Sequence, residues 1–171
     1  MEFGVSRDET GTSSPYALNF DVIAHELGHS MLFSIMDIPF EGRRTPEYGA
    51  FHESSADLVA LLAAMHFDSV LDRFLRSTKG NIYTLNEINR IAELSDTRQI
   101  RIASNGRKMS DVTEDVHDLS RPLTGAFFDA LVYVFVEQLQ QQGLIGPGLR
   151  QAILSPSRRF EEADWIQRQF D

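Results

Sequence analysis

Apolar residues recur at helical spacing along most of the chain. Between Asn19 and Met36 they fall on nearly every side of the helical wheel, which predicts a buried, central first helix, capped by Asn19 and stopped by Pro39. From about Ala50 to Leu75, the residues Leu58, Leu61, Leu62, Met65, Leu71 and Phe74 form a stripe that predicts a second long helix. Thr84 and Glu87 have the spacing of a capping box, so a third helix is expected from Thr84 to about Leu94. Ser95 to Asp118 contains the turn signal Asn105-Gly106 and reads as a loop with room for a short hairpin. A fourth helix begins near Ser120, takes Pro122 in its first turn and carries Phe127, Phe128, Leu131, Val134, Phe135 and Val136 towards Gln142, apolar enough for the core. Two shorter amphipathic helices follow, Pro147 to Leu154 and Ser157 to Phe170, the latter turning Phe160, Trp165 and Ile166 inward. The fold class this predicts is mainly α, with little β and no internal repeat. Residues 1–18, rich in Gly, Ser, Thr and charge, read as a flexible leader or the remnant of an upstream region, and 19–171 as one helical domain.

Composition narrows the picture without deciding it. At 171 residues and 42% hydrophobic content the chain is long enough for one domain with a real core, and it has no run of eighteen apolar residues. A net charge of −9, from 16 basic and 25 acidic residues, disfavours nucleic acid and anionic membrane surfaces as partners. A basic or neutral peptide would be steered to it more readily. The absence of cysteine leaves no disulfide framework, and Met1 to Pro15 lacks the apolar stretch of a signal peptide. If the protein is secreted, its targeting segment is expected outside this sequence.

The chemistry is concentrated in His25-Glu26-Leu27-Gly28-His29. Residues at i and i+4 of a helix lie one above the other, so both imidazoles can converge on one ion, while Glu26 can reach a water beside it. Two buried histidines that merely hydrogen-bond would satisfy the same string, so a third ligand is the evidence to seek. Glu53 and Asp57, also at i and i+4, stand near the start of the second helix. Two His and one Glu are a standard catalytic zinc set, and a ligating His normally donates its other N–H to a carboxylate such as Asp57. Asp37 or Asp57 as the third ligand is a weaker alternative, and a solvated acidic first turn would also account for Glu53 and Asp57. The third histidine that extends one subclass of this motif is missing, since Ser30-Met31-Leu32-Phe33-Ser34-Ile35 follows. His66 lies well past Glu53 and reads as a packed side chain. Gly28 costs about 1 kcal/mol in a helix relative to Ala, which points to a close approach of backbone or substrate.

The segments Asp21 to His29 and Gly49-Ala50-Phe51-His52-Glu53-Ser54-Ser55-Ala56-Asp57 resemble the active-site helix and the glutamate-bearing helix of the thermolysin-like zinc peptidases, the gluzincins. A third resemblance is Val116-His117 followed by Ser120-Arg121-Pro122-Leu123-Thr124-Gly125-Ala126 and an apolar helix. The resemblance covers about Asp21 to the end of the fourth helix. It implies one Zn2+ held by His25, His29 and Glu53, Glu26 as general base, Asp57 behind a histidine ligand, and His117 stabilising the transition state. The implied reaction is hydrolysis of a peptide or protein substrate. His52 replaces the family's usual Asn, which puts it in play as a stray ligand, although Glu53 is favoured. Asp21 falls where the family has a calcium-binding carboxylate, but its companion ligands are not recognisable, which leaves Ca2+ doubtful. The β-rich lobe that precedes the zinc helix in that family cannot be made from twenty residues. The chain is therefore read as the carboxy-terminal lobe of a larger enzyme, with a catalytically silent zinc-binding structural or interaction module as the alternative.

Overall fold

The structure, a computed structural model, describes residues 5–7, 13–15, 19–37, 39, 44–78, 82–83, 90–91 and 101–155. Within them the fold is mainly α. Strands β1 (Val5–Arg7) and β2 (Ser13–Pro15) pair antiparallel, with Val5 opposite Pro15, inside the stretch expected to be a flexible leader. The helix α1 (Phe20–Ile35) then starts where its cap predicts: the Asn19 side chain accepts hydrogen bonds from the backbone N–H groups of Asp21 and Val22, at 2.9 and 3.3 Å. Loss of such a cap costs about 1 kcal/mol, so Asn19→Ala is expected to lower the urea midpoint of unfolding accordingly. An unchanged midpoint would show that this cap contributes nothing.

The first helix is not buried all round. Val22, Ala24, His25 and Gly28 are buried, whereas Ile23, Leu27 and Met31 are exposed on another face. The physical reason is that α1 packs chiefly on one partner, helix α2 (Pro46–Ala64), so only one face loses its water. Phe20 is partly covered edge-on by Phe67, with ring centroids 5.0 Å apart.

The α2 helix begins four residues before the expected start, because Thr45 caps the Tyr48 N–H and Pro46 supplies a pre-set φ at the first helical position. It also ends earlier. The chain leaves the helix at Met65–Phe67 and resumes as α3 (Asp68–Thr78), which buries Phe74 and Thr78. The apolar spacing runs across this break because both helices feed the same core, so the stripe alone could not reveal it. Leu61 is buried as expected, but Leu62 is exposed.

Strand β3 (Arg90–Ile91) pairs antiparallel with β4 (Arg101–Ile102), where a helix to Leu94 was expected. A cross-strand partner overrides the helical signal of a short apolar segment. The proposed capping box of Thr84 and Glu87 lies outside the described residues. Strand β4 lies in the expected loop but pairs with β3 ahead of it rather than across the Asn105-Gly106 turn, where Gly106 has φ +60°. Asn105 fastens this loop to the last long helix through its Nδ2, which donates to the carbonyls of Ile102, Ala103 and Arg121.

Next come the short helix α4 (Val116–Leu119), α5 (Arg121–Gln141) and α6 (Pro147–Leu154). Asp115 caps α4 by accepting from the N–H groups of His117 and Asp118. Gly143, at φ +71°, ends α5, and Pro122 stands in its first turn as expected. The helix expected over Ser157 to Phe170 lies outside the described residues. Val116–Gln141 is long and apolar enough, by length and composition, to cross a membrane. Its row Phe128, Val132 and Val136 is nevertheless buried in the protein's own core with Leu61, Phe74 and Ile153. Asp129 on the same helix accepts a hydrogen bond from the Tyr83 hydroxyl at 3.1 Å. Phe127 and Val134, expected inward, are exposed.

Candidate metal centre

Three small residues bring the functional elements together. Gly28 on α1 lies so close to α2 that an added Cβ would stand 2.8 Å from the Cα of Ala56. Gly49 on α2 similarly admits Val116, whose Cγ1 lies 2.8 Å from the position of a Cβ there. This seats α4 against α2 with His117 over Glu53, which is one helical turn after Gly49. On the other side of α2, the Ser54 hydroxyl bonds that of Thr124 at 2.9 Å, tying it to α5 in a fully buried contact.

The two imidazoles and the glutamate converge. His25 Nε2 lies 3.1 Å from His29 Nε2, and the two Glu53 oxygens stand 3.5 Å from the former and 3.4 Å from the latter. A tetrahedral site with arms of about 2.0–2.2 Å has ligand-to-ligand edges of about 3.3–3.6 Å, and the three side chains approach one another at spacings near these, the two histidines meeting different oxygens of Glu53. His25, His29 and Glu53 therefore form a group that can hold a metal ion. Glu53 rather than Asp37 or Asp57 completes it.

Asp57 does something else. It is fully buried, and its Oδ1 lies 2.8 Å from His25 Nδ1. A carboxylate accepts only, so Nδ1 carries the proton and the lone pair of His25 is left on Nε2, facing His29 and Glu53. No family model, curated protein or solved structure matches this chain. The assignment of this centre therefore rests on its geometry. Asp57→Asn removes the carboxylate that fixes the tautomer and is expected to weaken metal affinity by about 10–100-fold, read by competition with a chromogenic chelator. Unchanged affinity would mean that Asp57 is only a packed polar residue.

His117, on α4, meets Glu53 from outside this group of three. Its Nδ1 lies 3.0 Å from Glu53 Oε2, and its side chain is 53% exposed, at the lip rather than the floor. Glu26 is half-buried and lines the adjoining cleft together with His29 and Glu53. His66 is exposed and bonds the Leu62 carbonyl of its own helix turn, away from the cluster.

That cleft, of about 590 Å³, is the part of the site least legible beforehand. Arg44, just before α2, lines it, as do Phe33, Tyr48 and His52. His52 is not in the ligand group. Its ring packs against Tyr48 and Phe33, at centroid distances of 4.6 and 4.8 Å, and lies parallel to His29 at 6.0 Å. Burial pushes its imidazole below the usual range, and the neighbouring His29 and Arg44 act in the same direction against Glu53. Both its ring nitrogens and the Tyr48 hydroxyl are buried without a hydrogen-bond partner among the described residues. Leaving such a group unsatisfied costs about 1–3 kcal/mol. The i, i+4 spacing of Tyr48 and His52 was the available signal for this shared face.

Proposed function

We propose that this chain is the helical lobe of a zinc-dependent peptidase, with His25, His29 and Glu53 as the zinc ligands. The observation that carries this reading is the convergence of these three side chains, with Asp57 fixing the His25 tautomer and Glu26 lining the cleft alongside. Two imidazole nitrogens and one carboxylate are the donor set of a catalytic zinc that keeps an open position. When bound, zinc would supply Lewis acidity, lowering the pKa of a water towards about 7. Glu26 then acts as the base that takes a proton from the attacking water and returns it to the departing amine nitrogen. His117 supplies a donor to the oxyanion that develops on the scissile carbonyl. The exposed face of α1 with Ile23, Leu27 and Met31 is, on this reading, the surface an upstream β-rich lobe would cover.

The test is metal analysis of the purified protein combined with hydrolysis of quenched peptides, with and without chelator. One zinc per chain and chelator-sensitive cleavage are expected. Protein that takes up no zinc would sink the proposal.

One observation favours a second reading, a zinc-holding module without turnover. His117 Nδ1 stands 3.0 Å from Glu53 Oε2 at the edge of the three-residue group, the side from which a fourth protein ligand would close the open position. His117→Ala separates the two. A donor to an oxyanion is worth about 10²–10³ in kcat, so the peptidase reading expects that loss with zinc retained. A closed structural site expects zinc affinity to fall instead.

A further inference from the structure

The cleft beside the metal cluster holds more hydrogen-bond donors than the described residues use. Arg44 brings a guanidinium, which donates and never accepts. Tyr48 brings a hydroxyl and His52 its two ring nitrogens, and these atoms have no hydrogen-bond partner among the described residues. Phe33, Pro46 and Val116 give the same cleft apolar walls. From the first helical residue of α2, Pro46, to Glu53 the helix rises about 10 Å, so Arg44, just before that helix, lies well along the cleft from the ligand carboxylate. A group that suits both features has an apolar stem and ends in a strong acceptor. A lysine or arginine side chain would set a cation against Arg44, and a purely apolar side chain would leave the donors unsatisfied.

We propose that this cleft binds a carboxylate of the peptide substrate, recognised by Arg44, Tyr48 and His52. The inference rests on the peptidase reading and adds the substrate class to it. A glutamate or aspartate side chain and a chain-terminal carboxylate share this chemistry. Arg44 is the main charged contact, and His52 is the donor on the floor, held by its packing between Tyr48 and Phe33.

The experiment uses zinc-loaded full-length chain and quenched peptides that differ only in Glu, Gln, Leu or Lys on either side of the scissile bond, each with a free or an amidated C-terminus. A side-chain site favours Glu over its isostere Gln by at least about tenfold in kcat/KM, the range of a charge-assisted hydrogen bond. A terminal-carboxylate site instead favours free acids over amides. In either case Arg44→Ala collapses the ratio towards one. His52→Phe, which keeps the ring packing and removes the nitrogens, lowers the ratio without loss of zinc. Equal cleavage of Glu and Gln peptides together with equal cleavage of acids and amides, or a preference for Leu, overturns the proposal and leaves the peptidase reading standing. Binding is read separately by NMR of the zinc-loaded protein with N-acetylglutamate amide, N-acetylglutamine amide and N-acetylleucine. If no peptide is cleaved, the peptidase reading fails, and this arm still decides: carboxylate binding that Arg44→Ala abolishes supports the cleft. Binding unaffected by that change, or none at all, overturns it.

Discussion

Glu26→Gln is expected to lower kcat/KM for peptide hydrolysis by about 10²–10⁴-fold, the usual worth of a positioned general base, with zinc content unchanged. The two effects separate because Glu26 lies outside the group that can hold the metal, on the turn between its two histidines. An amide of the same size preserves packing in the half-buried site but cannot accept a proton near neutral pH. Replacing Glu53 by Gln should do the reverse, weakening zinc binding first, because it removes one of the three ligands and the charge that balances the ion. Metal analysis and quenched-peptide rates on the same preparations check both. Loss of zinc in Glu26→Gln, or full activity in it, would show that the base is misassigned.

The sequence carried the metal cluster further than it carried the packing around it. His25 and His29 are legible because helical periodicity alone sets them on one face, and the Asp57 partner of His25 follows from what a ligating imidazole needs. That Glu53 faces them is a tertiary fact, since no local periodicity links two helices. The resemblance to the gluzincins suggested it, and the crossing of α1 and α2 realises it. The mainly α fold was legible from the same 3.6-residue spacing. The bounds of α1, α5 and α6 were legible too, whereas those of the second and third helices were not. The break at Met65–Phe67 is invisible to a pattern that both helices share, and Arg90–Ile91 is a strand because of its partner at Arg101–Ile102. Burial of α1 was overestimated because apolar residues say which faces could be covered, not which neighbours cover them. Tyr48 carried no chemical signal of its own and became a cleft residue only when α2 placed it one turn from His52.

The last and most structural expectation concerns Gly28. On an isolated helix, Gly28→Ala should stabilise by about 1 kcal/mol, because alanine restricts the unfolded chain and favours the helix. In this protein the new methyl would meet the Cα of Ala56 at 2.8 Å, the Cβ of Val59 at 3.2 Å and the Cβ of Ala56 at 3.3 Å. The nearest of these is backbone, so no rotamer change can relieve it and the two helices must move apart. Overpacking of this kind costs about 1–3 kcal/mol, and the clash against main chain belongs at the upper end, so a net loss of about 1–2 kcal/mol is expected. The consequence for the site is larger than for the fold. His25 and His29 ride on α1 while Glu53 and Asp57 ride on α2, so any separation lengthens both the 3.4–3.5 Å ligand spacings and the 2.8 Å contact between His25 and Asp57. Zinc affinity should fall by more than about tenfold, since a loss of 1.4 kcal/mol at the site already corresponds to that factor. Adding Ala56→Gly should not restore it, because that change removes the Ala56 methyl, 3.3 Å away, and leaves the main chain of α2 at 2.8 Å. Urea unfolding and chelator competition on the single and double variants measure the two effects independently. Gly28→Ala protein that is as stable as the parent and binds zinc as tightly would mean that the helices do not cross this closely, and the assembly of the metal centre would need another explanation.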